Sequence, residues 1–379
     1  MRPPVFILSL FDTGLYAARL LRNTGISVYG FDHDPDNPGF YSKYVTSFLI
    51  PHPQTDPQKL FGILFEKRKE FNLRPILIAA SENYLEFIFQ YRQALEQEFL
   101  FLLPSNELLA KIIKKSAQFE LAKKCGLSVP SYYVMNSAND LNKVDIPAFP
   151  VVIKGIDQPL WKNTIKKKTF VAKNRDELLR IGNDLLKQNI SFIAQQIVRG
   201  DCTNNFEYNS LVANGVVIEQ NVNQKIRQYP IDFGYGCCVQ TVTNEEIVQL
   251  GARFVKENRI EGFSNTEFKK DPESGKYYFI ETNARVWQQI ELTNKSGQNF
   301  VLSYYNLLSN NQYAYKPKCR KTNLRWVDLP TDLLVYLRYR QQIGLGTFDF
   351  LKSTFCATNF GLLSLRDIKP FLKSTGIIK

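Results

Sequence analysis

Histidine is almost absent from this chain: only His33 and His52 occur in 379 residues, both among prolines and aspartates near the N-terminus. That excludes an H-E-x-x-H zinc site and argues against a Ser-His-Asp arrangement. The six cysteines (Cys125, Cys202, Cys237, Cys238, Cys319, Cys356) contain no C-x-x-C pair. The adjacent Cys237-Cys238 suits neither a disulfide framework nor a zinc site, so reduced thiols are expected. No apolar run approaches the ~18 residues that a membrane span needs. The N-terminal VFILSLF meets Asp12 too soon for a signal peptide, so a soluble, cytoplasmic protein without a membrane partner is expected. The first strand-to-helix turn, SLFDTGLYAAR, holds Gly14 alone where a dinucleotide fingerprint needs G-x-G-x-x-G, which argues against an NAD site. Internal repeats and low-complexity segments are missing as well.

What is present is a globular composition, 44% hydrophobic and 22% charged, in a chain long enough for two or three domains. The formal charge of +12 leaves several partners open: nucleic acid, an anionic surface, small phosphorylated and carboxylated ligands, or none, with lysines spread over solvated faces. Nothing resembles an RNP or zinc-finger signature, so no nucleic-acid partner is expected.

The first third alternates apolar runs with amphipathic stretches (PVFILSLF, LYAARLLRNTG, SVYGFDHD, PILIAAS, NYLEFIFQYRQALEQ). This βαβ rhythm implies a mainly parallel, Rossmann-like sheet covered by helices. Asp32, at the end of the second strand, is expected to shape a turn or face substrate. SNELLAKIIKKSAQFELAKKCG, residues 105–126, reads as a helix opened by a Ser/Asn cap and closed by Gly126. Then come strands VPSYYVM and FPVVIK, a basic loop, the helix DELLRIGNDLLKQ, the strand SFIAQQIV, and a hairpin turning at Asn214-Gly215. Antiparallel strands with few helices mark a change of architecture near residues 105–130. The last part, from about residue 312, holds one helix, DLLVYLRYRQQIG, and reads as an appendage.

The most informative stretch is EFKKDPESGKYYFIETNAR, Glu267 to Arg285, an antiparallel pair turning near Ser274. In that register Glu267 lies opposite Glu281. Alternation by two puts Asn283 on the same face and sends Phe268 and Ile280 toward a core. Opposed carboxylates repel unless a cation or a shared proton lies between them. Two Glu and an amide oxygen are hard ligands that suit Mg²⁺ held jointly with phosphates. The bland alternative is a solvated hairpin whose glutamates pair with Lys269 or Lys276. Arg285 adds a planar anion-binding fork to the polar face.

These residues resemble the ATP-grasp ligases, in which a Glu on one strand and an E-x-N on the next bind the metals of Mg-ATP. Lys115 in KSAQFELAKKCGLSVP resembles the family's first ATP lysine, and Lys154 in FPVVIK the second. FIAQQIVRGD resembles the hinge strand, which implies adenine contacts at Gln195, Gln196 and Val198 and a ribose contact at Asp201. The resemblance covers about residues 1–310. It implies an α/β protein, α+β in its catalytic part: an ATP-grasp fold with an N-terminal Rossmann-like pre-ATP-grasp domain. The expected divisions are residues 1–110 for that domain, 111–311 for the ATP-grasp domain (subdomains 111–190 and 191–311), and 312–379 for the appendage. GFSNTEFKKDPESGKYYFIETNARVWQQIELTNKSGQN is most similar to a group of predicted carboxylate-amine ligases, which includes enzymes joining amino acids to small carboxylates or to cell-wall precursors.

Two departures from the family stand out. The glycine-rich phosphate loop is replaced by GIDQPLWKNTIKKKTF, with Lys162, Lys166, Lys167 and Lys168, whose ammonium groups either neutralise phosphates or are simply solvated. Gln195-Gln196 stands where the hinge commonly has an acid. The implied reaction activates a carboxylate as an acyl phosphate and couples it to an amine, releasing ADP and phosphate. Its cofactors would be ATP with Mg²⁺, or Mn²⁺ in its place, and its partners a small carboxylate and a small amine; a homodimer is compatible with this. Glu267, Glu281 and Asn283 would hold metal, and Arg285 would stabilise the transferring phosphoryl group. Lys225 and Arg227 are candidates to clamp the carboxylate, or plain surface charges. An ATP-grasp kinase acting on a hydroxyl and a non-catalytic nucleotide- or nucleic-acid-binding protein remain as alternatives.

Overall fold

A computed structural model describes residues 2–156, 160–161, 164–165, 167, 169–310 and 321–378. The apolar runs of the first third form β1 (Val5–Leu8), β2 (Val28–Asp32), β3 (Thr46–Leu49) and β4 (Ile76–Ala79), with α1 (Asp12–Leu20), α2 (Pro57–Arg68) and α3 (Glu82–Glu98) between and after them. The strands pair in parallel in the order β3-β2-β1-β4. β1 and β4 are buried throughout, as expected for a parallel sheet covered on both faces.

The helix read at residues 105–126 is two: α4 (Asn106–Ile113) and α5 (Lys115–Lys124), broken at Lys114, whose backbone is extended. Ser105 caps the first, and Gly126 closes the second at a positive φ of 68°. The break has a consequence for the site, because it makes Lys115 the first residue of α5.

A second sheet is antiparallel, in the order β5-β8-β6-β7, from β5 (Tyr132–Met135), β6 (Val151–Gly155), β7 (Phe170–Ala172) and β8 (Phe192–Gln196). With α6 (Ala138–Lys143) and α7 (Arg175–Lys187) it closes a core of its own around Met135, Ile153, Trp161 and Phe192. Gly155, the last residue of β6, is needed there, because a Cβ would come within 2.6 Å of the Trp161 ring.

The third sheet has six strands in the order β13-β12-β9-β10-β11-β14. They are β9 (Asn205–Ala213), β10 (Val216–Tyr229), β11 (Tyr235–Val242), β12 (Gly262–Lys270), β13 (Tyr277–Asn283) and β14 (Arg325–Val327). Helices α8 (Glu245–Glu257), α9 (Ile290–Lys295), α10 (Phe300–Asn310), α11 (Leu329–Tyr339), α12 (Thr347–Phe355) and α13 (Lys369–Ser374) complete the chain. Asn214 and Gly215, at φ 52° and 74°, make the β9–β10 hairpin turn. The C-terminal tail is tied to α1 through Arg19, whose buried guanidinium donates to Asp367 at 3.0 Å and to the Gly361 carbonyl at 2.9 Å.

In the β12–β13 pair, Glu267 faces Glu281 as expected, but a bulge follows and Phe268 pairs with Phe279. Phe279, not Ile280, is therefore the core residue of β13, and Ile280 turns into a cavity. A bulge adds one residue to one strand and resets the alternation beyond it.

Candidate active site

The acidic face of the hairpin continues across the sheet. Register aligns Glu281, Glu267, Glu207 and Asn223 in one row on β13, β12, β9 and β10, and Asn283, Asn265, Asn209 and Asn221 in the next. The residues between the rows, Thr282, Thr266, Tyr208 and Val222, are buried on the opposite face. Glu207 and the asparagine row escaped the sequence reading. Their signal was the polar alternation N-F-E-Y-N in β9, legible only once β9 is known to lie beside β12.

Each glutamate meets a lysine or stays partly unpaired. Lys225 Nζ donates to Glu267 Oε2 at 2.9 Å, and Lys115 pairs with Glu281. Gln118, one turn beyond Lys115, fixes that contact by bonding both the N–H (2.9 Å) and the carbonyl (3.0 Å) of Thr282. Burial alone would lower the Lys225 pKa, but Glu267, Glu207 and Glu281 outweigh it and hold the ammonium charged. Burial pushes the Glu207 carboxyl up to about 7, against the attraction of Lys225. Among the described residues its Oε2 has no hydrogen-bond partner.

A cavity of about 850 Å³ opens on this row. Lys115, Lys154, Gln195, Gln196, Val198, Asp201, Lys225, Arg227, Glu267 and Glu281 all line it, so most of the candidates read from sequence share one space. Lys154 at the end of β6 donates to Gln195 Oε1 at 3.3 Å. Gln195 is buried while Gln196 is exposed, and Asp201 caps the following turn by accepting from the Thr203 N–H at 2.8 Å. Arg227 is a different matter. Its guanidinium is buried and spent on Asp332, at 2.6 and 2.7 Å, so it is neither a surface charge nor a free carboxylate clamp. Of the basic loop, Lys162, Lys166 and Lys168 lie outside the described residues. Lys167 stands over the Phe170 ring at 5.1 Å, and its carbonyl accepts from Trp161 Nε1 at 2.9 Å.

A second cavity, about 550 Å³, reaches the same glutamates from the side of the parallel sheet and shares Lys115, Lys225, Gly234, Glu267 and Glu281 with the first. It lies beyond the carboxyl ends of β1 and β4, where the strand order reverses and the loops diverge to leave a crevice. Asn283 and Arg285 are found here. Arg285 does not stand in the first cavity as an open fork: its Nε donates to Glu82 at 3.1 Å and its Nη1 to the Val286 carbonyl at 2.9 Å. The acids Asp12, Glu82, Glu86, Glu207, Glu267 and Glu281 outnumber Lys115, Lys225 and Arg285, which makes the crevice suited to cations. Asp12 is buried, and desolvation, assisted by Asp328 and opposed by Arg19, raises its pKa to about 7. Asp32 takes the turn role: its carboxylate accepts from the His33 N–H at 2.7 Å and Asn37 Nδ2 at 2.9 Å.

The donor set fits a divalent hard cation. Glu267, Glu281 and Asn283 supply only oxygen, Asn283 commits its amide nitrogen to Asn265 at 3.5 Å, and Glu207 keeps a buried unpartnered oxygen beside them. Among the described residues, no three acidic, histidine or cysteine side chains converge on one point; lysines neutralise two of the carboxylates instead.

Comparison with known proteins agrees with this geometry. Residues 237–304 match the family model described as carbamoyl-phosphate synthase L chain, ATP binding domain. A D-aspartate ligase from Enterococcus faecium is 24% identical over 284 residues, covering 70% of this chain and 66% of its own length. The chain thus spans just under two thirds of that relative. An L-amino acid ligase from Bacillus licheniformis superposes with a TM-score of 0.63 at 18% identity, over 83% of this chain and 78% of its own. An N5-carboxyaminoimidazole synthetase from Staphylococcus aureus, solved with ADP, superposes at 0.64 with 12% identity, over 86% and 82%. No helix among the described residues is long and apolar enough to cross a membrane. With its parallel N-terminal sheet and two antiparallel sheets around the cavity, the chain has the ATP-grasp fold of these structures.

Proposed function

We propose that this protein is an ATP-dependent carboxylate-amine ligase that forms an acyl phosphate, couples it to an amine and releases ADP and phosphate. The carrying observation is that two cavities, one basic and hinge-lined and one acidic, meet at a single row of glutamates. In this reading ATP fills the larger cavity, its adenine against residues 195–198, its ribose at Asp201 and its phosphates at Lys115, Lys154 and Lys225. Glu267, Glu281 and Asn283 would hold Mg²⁺, or Mn²⁺, whose charge would offset that of the phosphates. To release those carboxylates, Lys115 and Lys225 exchange a glutamate partner for a phosphate oxygen. The two sides of that exchange are both charge-assisted contacts, so little is lost in making it.

The carboxylate substrate enters by the crevice and attacks the γ-phosphorus at the junction. The amine follows it: Asp12, as a carboxylate in the acidic crevice, receives the ammonium and takes one of its protons, and the neutral amine attacks the activated carbonyl and expels phosphate. Arg285, held by Glu82, stabilises negative charge on the phosphoryl and tetrahedral oxygens from the crevice side.

Hydroxylamine tests this directly. ATP, Mg²⁺ and amino acids supplied singly as carboxylates should give ADP and, with hydroxylamine, a hydroxamate. A stable phosphate ester without hydroxamate would identify a kinase, and AMP would refute attack at the γ-phosphorus.

A further inference from the structure

We infer that the C-terminal hairpin of α11 and α12 is a third wall of the nucleotide cavity, so that the adenosine half of ATP is held between the hinge, the large sheet and this hairpin. The inference rests on the nucleotide reading above. Its geometric basis is that the turn at residues 342–345, with Asp349, Lys352 and Ser353 of α12, lines the same cavity as Lys154, the hinge and the glutamates.

One side chain seats the hairpin. Arg227, on the floor strand β10, grips Asp332 of α11 with two bonds of 2.6 and 2.7 Å and donates to Ser353 Oγ of α12 at 2.8 Å. Its guanidinium stands 5.6 Å from the Phe350 ring centroid, and Phe350 stacks on Tyr336 at 4.3 Å. Both helices are thereby fixed to the strand that also carries Lys225. This is a physical reason for burying an arginine whose position in the sequence suggested a ligand.

Position along β10 says which half of the nucleotide the wall meets. Lys225 sits at the glutamate end, and Arg227 lies two residues farther from that end, where the hairpin packs. With the phosphates at Lys225, the rim faces ribose and base. The rim carries the chemistry such a face needs: Ile343, apolar yet 41% exposed, and the basic Lys352 both line the cavity. An apolar side chain left at a cavity rim gains by being covered with a heterocycle or a sugar. The appendage is therefore part of the binding site and not an addition to its outside.

The test uses the full chain and the double variant Ile343→Ala/Lys352→Ala, with MgADP as the titrated probe. Both side chains are exposed, so the melting temperature without nucleotide should be unchanged. Calorimetry should show ADP bound at least fivefold more weakly, and a non-hydrolysable ATP analogue weakened by the same factor, since the added phosphate lies elsewhere. Phe355→Ala, 81% exposed and outside the cavity lining, should leave affinity as it is. In the wild type, ADP should slow backbone hydrogen exchange over residues 340–356. ADP affinity within twofold of wild type in the double variant, or no slowing of exchange, would overturn the third wall and leave the ligase reading standing. A wild type that binds no ADP would overturn the ligase reading itself. Should the double variant prove unstable, the exchange experiment decides alone.

Discussion

Asp12→Asn should make the empty protein more stable, by an amount that grows with pH. The carboxyl is 9% exposed and faces the acidic crevice, with Asp328, Arg19, Tyr16 and Tyr235 as its titratable neighbours. Its pKa rises from 3.8 in the unfolded chain to about 7 in the fold. Below the lower value both states hold the proton and the group is neutral to stability. Between the two values the folded state keeps a proton that the unfolded state has lost, so stability falls as pH rises. Above the upper value the penalty is complete. A shift of about 3 units at ~1.36 kcal/mol each makes it of the order of 4 kcal/mol, of which about 2.5 accrues above pH 5. Asparagine keeps the shape and does not titrate. Urea unfolding followed by tryptophan emission should therefore show the gap between variant and wild type widening by about 2.5 kcal/mol from pH 5 to pH 8. The same variant should have a higher KM for the amine, because in the proposed function the Asp12 carboxylate receives the ammonium. An identical gap at the two pH values would refute the argument, placing Asp12 in an environment that does not penalise its charge.

Glu281→Gln should nearly abolish ADP formation while leaving thermal melting close to wild type, since it removes a metal ligand and leaves core packing alone; full activity would remove the metal assignment. Lys154→Ala should weaken ATP binding roughly ten- to hundredfold, the equivalent of about 1.5–3 kcal/mol for a charge-assisted contact, and an unchanged affinity by calorimetry would make Lys154 structural. Arg227→Met leaves Asp332 buried without its cation and should cost about 3–5 kcal/mol. Adding Asp332→Leu should restore most of that loss in a melting experiment, whereas equal instability in the single and double variants would show that packing, not charge, dominates there.

Much of the fold was legible because its signals are local. Alternating apolar runs gave the parallel sheet, Asn214-Gly215 gave its hairpin, and Ser105 and Gly126 gave the ends of a helical stretch. What was missed is set by distant contacts. Nothing near Lys114 marks a break, and the helix divides where Gln118 is drawn to Thr282 on β13, a strand far along the chain. The bulge that exchanges Ile280 for Phe279 is likewise invisible in a pattern that alternates without interruption. Part of the site follows the same division. Glu267, Glu281 and Asn283 are close in sequence and could be paired on paper, but Glu207 becomes a neighbour only through the sheet order.

Arg227 shows why residue type and spacing alone mislead at such a site. Lys225 and Arg227 are two positions apart on one strand, both basic, and both line the cavity. Their partners separate them. Lys225 meets Glu267, a carboxylate that a metal would take over in the proposed function, so its ammonium would move to phosphate without leaving a buried charge alone. Arg227 meets Asp332, which is fully buried and forms no other ion pair among the described residues, so moving the guanidinium would strand that carboxylate. The same burial that makes one cation a mobile ligand makes the other a fixed post. Which of the two a basic residue becomes depends on whether its acidic partner has a second claimant, and in the proposed function that claimant is the metal of the nucleotide complex, at the glutamate row alone.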